Sequence, residues 1–138
     1  MVIGFMLMLS RNLYITSNQL KFGEWNKNGG VNLTGKTVGI IGLGNIGKEL
    51  VHLLKPFHCK ILVNDLTDVS LFARKHNLSI VSKDMLIQSS DIISIHTPLS
   101  RQMQNFFNLE TFEKMRKTSI LINTARGCLL YTSPSPRD

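Results

Sequence analysis

Cysteine is nearly absent from this chain. Its 138 residues include two, Cys59 and Cys128, which excludes a disulfide-stapled scaffold and a cysteine-ligated metal centre. Such usage fits a reducing compartment, here expected to be the cytoplasm. There is no apolar run of the ~20 residues needed to cross a bilayer, so no membrane partner is expected. The opening MVIGFMLML is apolar, but no basic residue precedes it and no small-residue cleavage site follows it, which makes it a poor leader. Basic runs with interleaved aromatics are missing as well. The sixteen Lys and Arg residues, which leave a formal charge of +7, are scattered, and they read as a solvated surface rather than a nucleic-acid site. His52, His58 and His76 have no acidic or cysteine neighbour at ligand spacing; they are expected at the surface, and no metal is expected.

What the chain does have is enough material for one core: 43% of its residues are hydrophobic, and the length suits one domain rather than two. The pattern centres on residues 38–65, VGIIGLGNIGKELVHLLKPFHCKILVND. Val38, Ile40 and Ile41 form an apolar run of the kind buried on both faces of a parallel sheet. Gly42, Gly44 and Gly47 follow at G-x-G-x-x-G spacing. The first glycine lets the chain turn off the strand, the second lets backbone approach a pyrophosphate, and the third lets the next helix pack closely on the sheet. That helix is expected over 45–54, stopped by Pro56, and the N–H groups near Asn45 and Ile46 would face a phosphate. Asp65 stands eighteen residues past Gly47 at the end of the next strand, where its carboxylate can accept both ribose hydroxyls of an adenosine and repel a 2′-phosphate. The expected cofactor is therefore NAD rather than NADP. For the residues alone, a glycine turn that merely packs a helix on a sheet remains the alternative.

Apolar spacing from Ile3 to Ile15 predicts a helix over 2–20, too apolar to stand uncovered. It needs the following sheet, another domain or a second subunit. Beyond Asp65, helices are expected over 69–76, opened by Asp68, and from Ser82 to about 89, with strands over 78–81 and 91–95. Residues 96–99, His-Thr-Pro-Leu, leave the second of these as a loop. Asn108 is expected to cap a helix over 109–116, and a strand over 119–123 exits into Thr124, Ala125, Arg126 and Gly127. Strands alternating with helices predict an α/β fold, a doubly wound parallel sheet of Rossmann type. Ligands of such sheets sit at the carboxyl ends of the strands, where Gly42, Asp65, Thr97 and Arg126 all fall. Residues 128–138, CLLYTSPSPRD, break the pattern. Read back as codons they resemble a transposon-type sequencing adapter, so they are expected to be non-native.

Together these segments resemble the NAD-binding domain of the D-isomer-specific 2-hydroxyacid dehydrogenases, a family that includes D-3-phosphoglycerate dehydrogenase. The resemblance rests on Leu9-Ser10-Arg11-Asn12, Gly23-Glu24-Trp25, the TGKTVGIIGLGNIG stretch over 34–47, the strand and loop over 91–99, and Ile122-Asn123-Thr124-Ala125-Arg126-Gly127. It implies a linking helix over 1–20, a partial NAD-binding domain over 21–127, and hydride transfer between NAD and a small 2-hydroxy or 2-oxo acid. It also implies a homodimer for the intact protein. By the same resemblance Asn45 and Ile46 face the pyrophosphate, Asp65 faces the adenine ribose, and Thr97, Pro98, Thr124 and Ala125 line the cofactor cleft. Arg126 is then the catalytic arginine, able to grip a carboxylate; a surface ion pair is its alternative. His96 is expected to be a packed, hydrogen-bonded residue. Met103 stands where the family often has threonine, and the family's catalytic glutamate and histidine belong to segments beyond Gly127. The rival reading is a dinucleotide-sensing scaffold of the corepressor type on the same fold.

Overall fold

The computed structural model describes residues 1–27, 29–98 and 107–125. Arg126, Met103 and the 128–138 segment with Cys128 lie outside the described residues. Five short strands carry the fold: β1 (Thr37–Ile41), β2 (Lys60–Asn64), β3 (Ser79–Ile80), β4 (Ile92–Ile95) and β5 (Ile120–Asn123). All pair in parallel, in the spatial order β3-β2-β1-β4-β5. The chain steps outward from β1 through β2 to β3, then crosses to the other side of β1 for β4 and β5. The doubly wound sheet expected from the sequence is thus present, with every strand in place.

Among the described residues six α-helices accompany it: α1 (Val2–Ser10), α2 (Leu13–Lys21), α3 (Asn45–Leu54), α4 (Ser70–His76), α5 (Lys83–Ser89) and α6 (Leu109–Glu113). Short polar side chains set several of the boundaries. Ser82 Oγ accepts the Met85 N–H at 3.3 Å to open α5, and Asn108 Oδ1 accepts the Thr111 N–H at 2.9 Å to open α6. Asp68 Oδ1 accepts the Ser70 N–H at 2.9 Å, so α4 begins one residue later than expected. A single 3₁₀ turn at Lys55–Phe57, holding Pro56, closes α3 where the proline predicts.

Strand alternation divides the core in two. Val38, Ile40, Ile61 and Val63 face one side with Leu50 and Leu54 of α3. Ile41, Leu62, Ile93 and Ile95 face the other with Leu86 of α5 and Phe107.

One expectation is corrected at the amino end, where residues 2–20 form two helices rather than one. Asn12 adopts a left-handed conformation (φ 52°) between α1 and α2, a role asparagine fills at little steric cost. The chain past α2 returns to this break: the Val31 N–H donates to Ser10 O at 2.8 Å, and Gly30 lies against the Arg11 backbone. The two halves then differ in cover. Val2, Met6 and Ser10 of α1, spaced by four, are buried, with Val2 and Met6 in the α3 side of the core, whereas α2 buries no residue. Among the described residues, no helix is long and apolar enough to cross a membrane.

Because α1 is part of this core and α2 is not, Met6→Ala should lower the free energy of unfolding by about 2–5 kcal/mol. Ile15→Ala, on half-exposed α2, should change it by less than about 0.5 kcal/mol. Urea denaturation of both variants checks the contrast.

Candidate dinucleotide cleft at the carboxyl edge of the sheet

Register brings the site together. Ile41 pairs with Asn64 on one side and with Ile95 on the other, and Ile95 pairs with Asn123. The next residue on each strand is Gly42, Asp65, His96 and Thr124. Four residues scattered over more than eighty positions therefore leave the sheet in one row. The row spans the point between β1 and β4 where the order of the strands reverses, the crevice in which doubly wound sheets hold ligands.

Gly42 turns off β1 with φ +91°, and a side chain there would strike Thr97 Cγ2 at 2.8 Å and the His96 carbonyl carbon at 2.9 Å. Gly47 lies so close that a Cβ would overlap Gly42 O. That contact draws the first turn of α3 against the β1 turn. Gly44 differs: a Cβ there would meet nothing within 4 Å, because the backbone faces an open cleft. Gly44 also starts α3 without any side-chain acceptor for the first-turn N–H groups, unlike α5 and α6. Donors left this way need water or a ligand anion, and the helix dipole favours the anion.

Two cavities adjoin along this edge, of about 670 and 540 Å³. They share Gly44, His96, Thr97 and Pro98. The larger extends to Asp65 and Phe72, the smaller to Asn45, Ile46, Thr124 and Ala125. Each is large enough for a mononucleotide-sized half of a ligand. The expected site residues within the described segments therefore all line one continuous groove, except Gly47, which is buried behind it.

Asp65 is held firmly. Its Oδ2 accepts the Leu43 N–H at 2.5 Å, and its Oδ1 accepts both the N–H and the hydroxyl of Thr67 at 2.8 Å each. Partial burial pushes this carboxyl up, but hydrogen bonds from the Thr67 and Leu43 backbone and the Thr67 hydroxyl outweigh it and hold the carboxyl below its usual range. The group is an anion at neutral pH, tied to the glycine loop. Sequence reasoning assigned Asp65 only to the ligand, and missed that it also braces the turn that receives the ligand.

His96 is half-buried, its Nε2 hydrogen-bonded to Ser94 Oγ at 2.8 Å and its N–H donating to Ile41 O at 2.8 Å. Burial pushes its pKa below the usual imidazole range and so favours the neutral ring. It is the packed residue expected. His52 and His58 are exposed, as expected, and His76 is half-buried; what the spacing did not show is that His52 and His76 contact each other and Phe72, with ring centroids 4.2–5.9 Å apart between α3 and α4. Among the described residues, no group of three His, Cys, Asp or Glu is placed to hold a metal.

A parallel sheet with two half-cavities meeting at an uncapped, glycine-opened helix is the architecture of a dinucleotide-binding domain. Comparison with known proteins identifies the class more closely. Residues 3–133 match the model of the D-isomer specific 2-hydroxyacid dehydrogenase, NAD binding domain, and the chain belongs to this family. It is 36% identical to a glyoxylate reductase from Thermofilum pendens, over 94% of this chain and 40% of that protein. It is 35% identical to a mitochondrial formate dehydrogenase from Hordeum vulgare, over 91% of this chain and 35% of that protein. Among solved structures, the NAD-dependent formate dehydrogenase from Staphylococcus aureus in complex with NAD matches 91% of this chain and 38% of its own, with a TM-score of 0.81 and 36% identity. The chain thus spans under half the length of these relatives. The domain is one that takes NAD.

Three observations fit that cofactor: open space at Gly44, N–H groups at the start of α3 with no side-chain acceptor, and the Thr97 Oγ1, which is buried beside the groove without a hydrogen-bond partner among the described residues. An orphaned hydroxyl costs the ligand-free fold about 1–3 kcal/mol. Thr97→Val, which keeps the shape and removes the hydroxyl, should therefore raise the stability of the ligand-free chain by about 1 kcal/mol, read as a higher urea midpoint. A lower midpoint would show that the hydroxyl has a partner.

Proposed function

We propose that this chain is the cofactor half of an NAD-dependent D-2-hydroxyacid dehydrogenase. The observation that carries the reading is the single groove in which Gly44, Asp65, Thr97 and Thr124 are aligned by strand register. NAD, when bound, supplies a hydride acceptor or donor at its nicotinamide. The residues of this chain bind and orient it. Asn45 and Ile46 present helix N–H groups to the pyrophosphate, and Asp65 accepts from the adenosine ribose. Thr97 and Pro98 form the shared wall, and Thr124 with Ala125 lines the nicotinamide side. Arg126 follows directly, and its guanidinium is assigned the role of gripping the carboxylate of a small 2-oxo or 2-hydroxy acid and stabilising charge on the reacting oxygen.

In this reading residues 1–20, whose α1 packs into the core of the cofactor domain, link that domain to a substrate half, residues 21–127 belong to the cofactor domain, and residues 128–138 stand outside it, although the family match runs to residue 133. The apolar side chains of α2, with Phe22 and Trp25, are exposed, which supports a covering surface from the substrate half or from the partner in a homodimer. The half-buried free thiol of Cys59 supports a reducing compartment, the cytoplasm. The scaffold alternative draws no support from the relatives named above, all of which bear the names of enzymes.

Asp65 gives the first test. Asp65→Ala should weaken NAD by roughly ten- to a hundredfold, through loss of hydrogen bonds to a charged acceptor, and relax discrimination against NADP. An unchanged affinity ratio in titration calorimetry would remove Asp65 from the site.

The second test concerns turnover. Reduction of a 2-oxo acid needs a proton donor, and His96 is unsuited to that role: its Nε2 is engaged by Ser94, and burial disfavours its protonated form. Absence of a positioned acid costs about 10²–10⁴ in rate. The chain by itself should therefore show no steady NADH oxidation with a panel of 2-oxo acids. Steady oxidation abolished by His96→Ala would make His96 the acid.

A further inference from the structure

Lys48 is not needed for any role assigned so far, yet it lines the larger cavity together with Asp65 and Asp68. Among the described residues, no other lysine or arginine lines that cavity, and Lys48 does not line the smaller one. Its Nζ stands 5.5 Å from the centroid of the Phe72 ring, a cation over an aromatic face. That places it toward α4, on the adenosine side, rather than at the Gly44 junction where the two cavities meet.

The carboxylates of the same cavity leave Lys48 uncommitted. Asp65 is engaged by Leu43 and Thr67, Asp68 is engaged by Ser70, and no carboxylate forms an ion pair with Lys48 among the described residues. A cation without a counter-ion and an anion held rigid by backbone donors thus share one half-cavity. Their effects on a phosphate at the adenosine ribose are opposite in sign.

We infer that Lys48 is a cofactor-specificity residue, the cation that offsets Asp65 and tempers this domain's discrimination against a 2′-phosphorylated dinucleotide. The inference rests on the NAD reading above. Asp65 sets the preference for NAD by hydrogen bonding and repulsion. Lys48 limits how steep that preference becomes, and it is the residue a 2′-phosphate would meet once the Asp65 charge is gone. Phe72 serves as the platform that keeps the ammonium over the cavity, with His76 tilted against the same ring at 4.2 Å between centroids.

The experiment titrates the chain with NAD and with NADP, comparing wild type, Lys48→Gln, Lys48→Arg, Asp65→Asn and the Asp65→Asn/Lys48→Gln double variant. Asparagine is used at 65 because its amide oxygen keeps an acceptor for the loop while removing the charge, and circular dichroism confirms that each variant is folded. Asp65→Asn should bind NADP measurably. Adding Lys48→Gln to it should weaken NADP by roughly fivefold, with less change for NAD, as expected of a partly exposed charge pair. Lys48→Arg should leave the ratio of the two affinities near wild type. Equal weakening of both cofactors by Lys48→Gln would overturn the inference, since Lys48 would then act on the shared pyrophosphate. So would a double variant that keeps the NADP affinity of Asp65→Asn, or an Asp65→Asn chain that binds NAD but not NADP. Failure of the wild-type chain to bind NAD at all would overturn the cofactor reading itself, and the inference with it.

Discussion

The contact on which the site depends is the one between Gly47 and the carbonyl of Gly42. No side chain fits between them, so α3 is drawn down until its first turn lies against the turn that leaves β1. Everything at the carboxyl edge follows from that approach. The N–H groups that open α3 come level with the ends of β4 and β5, the groove passes over Gly44 without obstruction, and the Gly42 turn sits against His96 and Thr97. A helix held even one methyl group further away would leave its dipole end outside the crevice.

Around that contact the polar groups divide by purpose. Away from the groove, α5 and α6 begin with side-chain caps, and Asp91 Oδ2 accepts the Thr37 N–H at 2.8 Å while its other oxygen pairs with Arg116. At the groove, α3 has no side-chain cap, a lack it shares with α1 and α2, and among the described residues Thr97 Oγ1 has no partner. Such unsatisfied groups destabilise a fold unless something else meets them. Asp65 belongs to both sets, since it closes the loop through Leu43 and Thr67 and still presents an anion to the larger cavity. The site is thus preorganised by hydrogen bonds that a ligand need not supply.

Much of this was legible in the sequence, because parallel strands and glycine turns leave strong local signals. The apolar run ending at Ile41, the glycine spacing, Pro56, and the caps Ser82 and Asn108 placed β1, α3, α5 and the start of α6 closely, though α6 ends at Glu113 rather than near 116, and the strand ends named the residues that line the groove. What escaped was non-local. A single helix over 2–20 was expected because apolar spacing continues through Asn12; the break is set by residues 30–31 folding back onto Ser10 and Arg11, a contact no spacing shows. The ring contacts of His52 and His76 with Phe72 depend on how α3 and α4 lie together, and the bracing of Leu43 by Asp65 depends on the register of β1 and β2. The residues beyond Ala125, including the expected arginine clamp, stand on the resemblance alone.

The central claim is that one groove, opened by the first turn of α3, receives the two halves of NAD on either side of Gly44. The most direct measurement is the set of backbone amide chemical-shift changes when NAD is added to isotopically labelled chain. The account predicts the largest changes at Gly44, Asn45 and Ile46, with smaller ones on both flanks, at Asp65 to Thr67 and at Thr124 to Ala125. Changes confined to one flank, or absent from the first turn of α3, would contradict it.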